Sequence, residues 1–121
     1  ILLTNIFCPS KISKLKSNLI QVIIDKNNPI ESIKYDIQFN INSCSILIID
    51  DVSQSGKTMQ AVISNLLIHK PHKIKTAVIV NRDQTYFPVK IDYSGISLST
   101  SVNEHVSIVS DKNNELKVYL S

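Results

Sequence analysis

Residues 46–67 constrain the fold more tightly than any other stretch. Four apolar residues, Ile46-Leu47-Ile48-Ile49, run into two adjacent carboxylates, Asp50 and Asp51, and then into Ser55-Gly56-Lys57-Thr58. The apolar run is too short for a helix and rich in β-branched side chains, so it reads as a buried parallel strand. Met59, Val62, Ile63, Leu66 and Leu67 then recur at helical spacing. Strand, turn and helix in that order put the turn at the carboxyl edge of an α/β sheet, where such sheets bind ligands.

The two halves of this junction suit different chemistry. Carboxylates repel phosphate but accept hydrogen bonds from vicinal ribose hydroxyls, whereas Ser53, Ser55, Gly56 and Thr58 supply hydroxyls and an unobstructed backbone at a helix N-terminus. One ligand that satisfies both is a ribose 5-phosphate. A nucleotide P-loop requires a glycine five residues before Gly56, and Asp51 stands there. The acidic pocket of a receiver domain also follows an apolar strand, but a Gly-Lys-Thr turn directly after the acids is foreign to it. A plain strand-turn-helix with a solvated acidic corner would explain the paired aspartates, though not the whole ordered set.

Around this junction the chain alternates elements without repeats. Ile1 to Phe7 reads as a strand, Cys8-Pro9-Ser10 as a turn, and Lys11 to Asp25 as a helix capped by Ser10, with Ile12, Leu15, Leu19, Val22 and Ile23 on one face. Asn27-Asn28-Pro29 breaks it, and Ile33, Tyr35, Ile37 and Phe39 alternate as a strand. Ile74 to Val80 makes another buried strand. Beyond Pro88 come Lys90 to Tyr93, then Val102 to Val109 and Glu115 to Leu120 as a hairpin about Asp111-Lys112-Asn113-Asn114. The expected fold is α/β: a Rossmann-like parallel sheet flanked by helices, with a C-terminal antiparallel hairpin.

Hydrophobic content of 43% over 121 residues suits one compact domain spanning 1–121 and excludes a disordered or fibrous class. No apolar run reaches the ~18 to 20 residues that cross a bilayer, so a cytoplasmic protein without membrane partners is expected. Cys8 and Cys44 lack metal-type spacing and read as reduced thiols. A net charge of +3 with dispersed lysines permits RNA as a partner without indicating it.

Ile46 to Thr58 resembles the thirteen-residue phosphoribosyl pyrophosphate motif of type I phosphoribosyltransferases at every defined position: four apolar residues, two acids, three variable residues, then [ST]-G-[KR]-[ST]. Val78 to Leu98 is similar to the following segment in the pyrimidine operon attenuation regulator and uracil phosphoribosyltransferase branch, through Asn81-Arg82-Asp83, Pro88, Lys90 and Asp92-Tyr93-Ser94-Gly95. The resemblance implies a Mg²⁺-dependent pentosyl transfer from phosphoribosyl pyrophosphate to a nucleobase, in nucleotide metabolism, by a homodimer. It assigns Asp50 and Asp51 to catalysis and, through water, to the metal. It assigns Gln54, Ser55, Gly56, Lys57 and Thr58 to phosphate, and Asn81, Arg82, Ile96 and Leu98 to the base. Gln54 and Asn81 replace an aspartate and a lysine common in purine-using relatives, and Ile96 replaces an aromatic, so pyrimidine salvage with a base such as uracil is favoured.

The chain also departs from that pattern. The turn that corresponds to the family's pyrophosphate loop, Asn5 to Lys11, has no glycine and one cation. Only Asn40 to Cys44 occupies the place of the flexible hood that closes over the site, so a domain without the hood and the family's usual first helix is expected. A catalytically weak regulator of the same fold, sensing a nucleotide, is therefore the alternative. His69 and His72 read as caps near a helix end, and His105 as a solvent-facing strand residue. Lys57 reads as a first-turn side chain pointing outward. Arg82 could meet pyrophosphate or base, or pair with Asp83 or Asp92.

Overall fold

The structure, a computed structural model, describes residues 2–8, 16–24, 27, 33–35, 41–82, 86–99 and 105–120. Its central unit is the expected one. Strand β4 (Ser45–Ser53) carries the apolar run through both acids, helix α1 (Lys57–Leu67) follows, and β5 (Lys73–Arg82) pairs in parallel with β4. Alternation decides which side faces the helix. Ile46 and Ile48 on β4 and Val78 and Val80 on β5 are buried, and Met59, Val62 and Leu66 of α1 are buried with them. Each such side chain contributes about 1.5–3 kcal/mol through burial. Leu67, expected on this face, is exposed.

A third parallel strand, β6 (Tyr93–Leu98), joins the far side of β5 and begins where the sequence suggested a strand would end. A buried polar clamp explains the offset. The Thr76 backbone N–H donates to Asp92 Oδ2 at 2.9 Å, and the Asp92 N–H donates to Thr76 Oγ1 at 3.0 Å. Thr76 Oγ1 donates in turn to the Lys90 carbonyl at 2.6 Å. These bonds hold residues 90–92 against β5 as a bracket, so ladder pairing starts only at Tyr93. Gly95 then lets the two strands close: a Cβ there would lie 2.8 Å from the Ile79 carbonyl oxygen.

Asp92 feels opposing influences. Burial pushes its pKa up, but the Thr76 N–H and the Lys75 and Lys90 ammonium groups, at 3.5 and 3.6 Å, hold it below the usual carboxylate value. A depressed carboxyl stabilises the fold above its unfolded pKa, and that contribution disappears as pH falls through the folded value. Asp92→Ala should therefore cost about 1–3 kcal/mol at neutral pH by stripping the Thr76 N–H of its partner. Melting curves of variant and parent should converge as the pH drops below ~4. A gap that stays constant from pH 7 to pH 2 would remove the carboxylate from this account.

On the other side of β4 the pattern changes. Strand β1 (Leu2–Cys8) runs antiparallel to β4 and forms a hairpin ladder with β2 (Lys16–Ile23), and the short β3 (Lys34–Tyr35) closes that edge. The six-stranded order is β3-β2-β1-β4-β5-β6, so the parallel sheet is extended by an antiparallel half. The helix expected over Lys11 to Asp25 is thus a strand across residues 16–23. Ile20, Val22 and Ile24 are buried while Leu19, Gln21 and Ile23 are exposed, a period of two that the β-branched residues satisfy better than a helical face. The Ser10 cap, the Asn28-Pro29 break and strand positions 36–40 lie outside the described residues.

Register also corrects the cysteine reading. Cys44 is held in a disulfide rather than as a reduced thiol. The Phe7↔Ser45 pairing brings the backbones of Cys8 and Cys44 side by side, a proximity that 36 residues of sequence separation conceal. At the chain's end, β7 (Val106–Ser110) and β8 (Leu116–Leu120) pair as a separate antiparallel sheet. Their turn is set by Asp111, whose Oδ1 accepts from the N–H groups of Asn113 and Glu115 at 2.8 and 2.9 Å.

Candidate phosphoribosyl site

The turn after β4 is shaped by Gly56, whose φ of 84° lies in the left-handed region. Ser55 Oγ accepts from the Lys57 N–H at 3.2 Å, and the Gly56 carbonyl accepts the first helical bond from Gln60 at 2.9 Å. As N-cap of α1, Gly56 has no side-chain oxygen to offer the first helical turn. The N-terminal N–H groups and the helix dipole therefore suit an anionic ligand.

The turn is also braced from outside the motif. The Ser55 carbonyl accepts from the backbone N–H groups of Tyr86 and Phe87 at 2.9 and 3.1 Å, so the segment after β5 leans on the Ser55–Thr58 turn. Nothing in the sequence marks these two bonds, because they use backbone donors. At the opposite end of β4, Ser43 N–H donates to the Lys70 carbonyl and His72 N–H to the Cys44 carbonyl, at 3.0 and 2.8 Å. Both ends of the β4-α1-β5 unit are thereby pinned.

A cavity of about 390 Å³ opens over the turn, within the usual range for small-ligand sites. Asp50 through Met59 form one wall, and Arg82, His105 and Val106 the other. The structure thus brings together Asp50, Asp51, Gln54, Ser55, Gly56, Lys57, Thr58 and Arg82, all singled out from the sequence. Asn81, Ile96 and Leu98 lie outside this lining. Asp50 Oδ1 accepts from the Asp51 N–H at 2.8 Å, and Asp51 Oδ1 from the Val52 N–H at 2.7 Å, so both carboxylates are oriented at the strand's end. Arg82 is buried, with 3% of its surface exposed, which places it in the cavity wall and not on the outer surface. Asp92 pairs with Lys75 and Lys90; Asp83 lies outside the described residues.

Two buried polar atoms here have no hydrogen-bond partner within the protein: Ser53 Oγ and Asn81 Oδ1. They occupy paired positions on β4 and β5 at the carboxyl edge of the parallel sheet. The sequence pattern identified the edge but not this pairing. His105 was expected to face solvent; it is exposed, yet it lines the cavity.

The pyrophosphate-loop reading of Asn5 to Lys11 fares differently. Because β1 is antiparallel to β4, its last residue, Cys8, lies beside the start of β4, at the far end of the strand from the phosphate turn. Residues 9–15 are outside the description.

A model of the phosphoribosyl transferase domain matches residues 13–113. The chain belongs to that family. Among curated relatives, the bifunctional protein PyrR of Staphylococcus epidermidis is 36% identical over 75 residues, 61% of this chain and 43% of that protein. Among solved structures, a hypoxanthine-guanine-xanthine phosphoribosyltransferase superposes with a TM-score of 0.55 at 26% identity, covering 64% of this chain and 46% of that one. The hypoxanthine phosphoribosyltransferase of Trypanosoma cruzi shares the fold with a TM-score of 0.56 at 17% identity, over 70% and 46% of the two chains. The chain thus spans less than half the length of these relatives. Of the stretch from Ile46 to Thr58, which resembles the family's motif, Asp50 to Thr58 line the cavity. Among the described residues, no helix is long and apolar enough to cross a membrane.

Proposed function

We propose that this chain binds Mg²⁺-phosphoribosyl pyrophosphate and transfers its phosphoribosyl group to a nucleobase, with a pyrimidine such as uracil as acceptor. The observation that carries this reading is the single cavity that joins the Asp50-Asp51 pair to the Ser55-Thr58 turn. The turn takes the 5-phosphate through N–H groups and hydroxyls, and the two acids take the ribose diol. Transfer through an oxocarbenium-like transition state needs positioning and electrostatics more than a protein nucleophile.

The donor set suits hydrated Mg²⁺. Among the described residues, no three His, Cys, Asp or Glu side chains gather to hold an ion by themselves. Two carboxylates at a cavity edge match a hard cation that keeps several waters and takes its other ligands from substrate oxygens. Asp50 and Asp51 would hold it, and bound there it would offset pyrophosphate charge. The base-side assignment of Asn81, Arg82, Ile96 and Leu98 follows the family likeness, and of these four Arg82 lines the cavity. Gln54 at the cavity wall cannot act as a general base, which favours a pyrimidine over a purine acceptor. A homodimer belongs to the same reading by family likeness.

A second reading, a nucleotide-sensing regulator with weak catalysis, is favoured by one observation: β1 ends beside the start of β4, so among the described residues none of the Asn5 to Lys11 turn lies beside the cavity. Pyrophosphate release measured with uracil, orotate, hypoxanthine and xanthine separates the readings. Fastest release with uracil is expected. Release confined to the purines would overturn the base assignment, and nucleotide binding without release from any base would make the regulator the better account.

A further inference from the structure

The cavity's second wall is not made by the family motif. Among the described residues of β7 and β8, only Val106 is buried, at 8% exposure; the others are half-buried or exposed. Neither strand pairs with the six-stranded sheet. Val106 lines the cavity together with the motif residues. The residue before it, His105, precedes the first ladder position of β7 and is exposed, so its ring serves neither the core nor the strand pairing. It nonetheless lines the same cavity as the Ser55–Thr58 turn.

We propose that His105 is a further binding residue for the phosphorylated sugar, its imidazole N–H donating to a phosphate oxygen. This inference rests on the phosphoribosyl reading of the cavity and adds a residue to it. The chemistry of the walls supports the assignment. Asp50 and Asp51 supply acceptors only, so anionic oxygens must find donors elsewhere, and the donor-bearing side chains on the cavity are those of the motif turn, Arg82 and His105. An imidazole is short and stiff beside a lysine, so a donor placed next to a buried anchor loses little freedom on binding. The hairpin thus adds a donor to a site built on β4 and α1.

Titration calorimetry with ribose 5-phosphate and with Mg²⁺-phosphoribosyl pyrophosphate tests this on the parent chain, His105→Gln and His105→Ala. The alanine variant should bind about threefold to tenfold more weakly, and the glutamine variant, which keeps an N–H donor, should retain more of the affinity. Loss with both ligands places the contact on the 5-phosphate; loss with the pyrophosphate ligand alone places it on the pyrophosphate. The His105 ring resonance, assigned by its absence from His105→Gln, should shift as inorganic phosphate or pyrophosphate saturates the parent chain. Parent binding with an unchanged alanine variant and a still resonance overturns the His105 contact and leaves the phosphoribosyl reading standing. A parent chain that binds none of these ligands overturns both.

Discussion

Replacing Asp50 and Asp51 together by Asn should weaken binding of Mg²⁺-phosphoribosyl pyrophosphate by at least roughly tenfold while leaving the melting temperature level or higher. Hydrogen bonds to a charged group contribute about 1.5–3 kcal/mol, and ~1.4 kcal/mol is already a factor of ten. The structure explains why the fold should tolerate the change. Each aspartate uses one oxygen to accept from the next backbone N–H, at 2.8 and 2.7 Å, and an Asn carbonyl oxygen can keep both bonds. What disappears is the pair of neighbouring negative charges, whose mutual repulsion the fold otherwise bears. Calorimetry beside thermal melts decides the matter. Unchanged affinity with a fallen melting temperature would assign the pair to the fold and take away the main support for a diol and metal site.

The central unit was legible because its signals are local. Ile46 to Thr58 announces a strand, an acidic edge and a turn through residue types a few positions apart, and Asp50 to Thr58 line the cavity. Asp111 and the asparagines after it likewise announce the hairpin turn. The antiparallel half was not legible, because a strand with Leu19, Ile20, Val22 and Ile23 also satisfies a short helical stripe; only pairing with β1 and burial of Ile20, Val22 and Ile24 decide between the two periods. The Cys8 and Cys44 neighbourhood depends on the same register.

At the site, the motif residues and Arg82 were legible from the sequence, whereas the cavity position of His105 and the pairing of Ser53 with Asn81 were not. His105 lines the cavity from the start of the C-terminal hairpin, and Asn81 meets Ser53 through ladder register. The Thr76-Asp92 clamp spans 16 residues and gives the Asp of the Asp-Tyr-Ser-Gly step a structural task. Periodicity and spacing carry no information about such meetings. A polar residue on a strand, such as Thr76 or Asn81, is the usable sequence hint, since a buried polar atom needs a partner.

Gly56→Val should both destabilise the fold and abolish useful phosphate affinity, and the two effects have separable causes. At φ 84° an L-residue with a Cβ crowds its own backbone, at a cost of roughly 1–2 kcal/mol, and a β-branched side chain sits worse still. For a chain of this size the melting temperature should drop by roughly 5 °C or more. The affinity loss has a different origin: Gly56 leads into α1, where a phosphate approaches the backbone closely and a side chain would stand in its path. Gly56→Asn divides the two causes, because Asn tolerates the left-handed region far better than Val. The Asn variant should recover most of the stability and still bind inorganic phosphate at least about tenfold more weakly than the parent, a loss of ~1.4 kcal/mol or more. If Gly56→Asn matches the parent in phosphate affinity, the anion does not approach over Gly56, and the 5-phosphate must be sought elsewhere in the cavity.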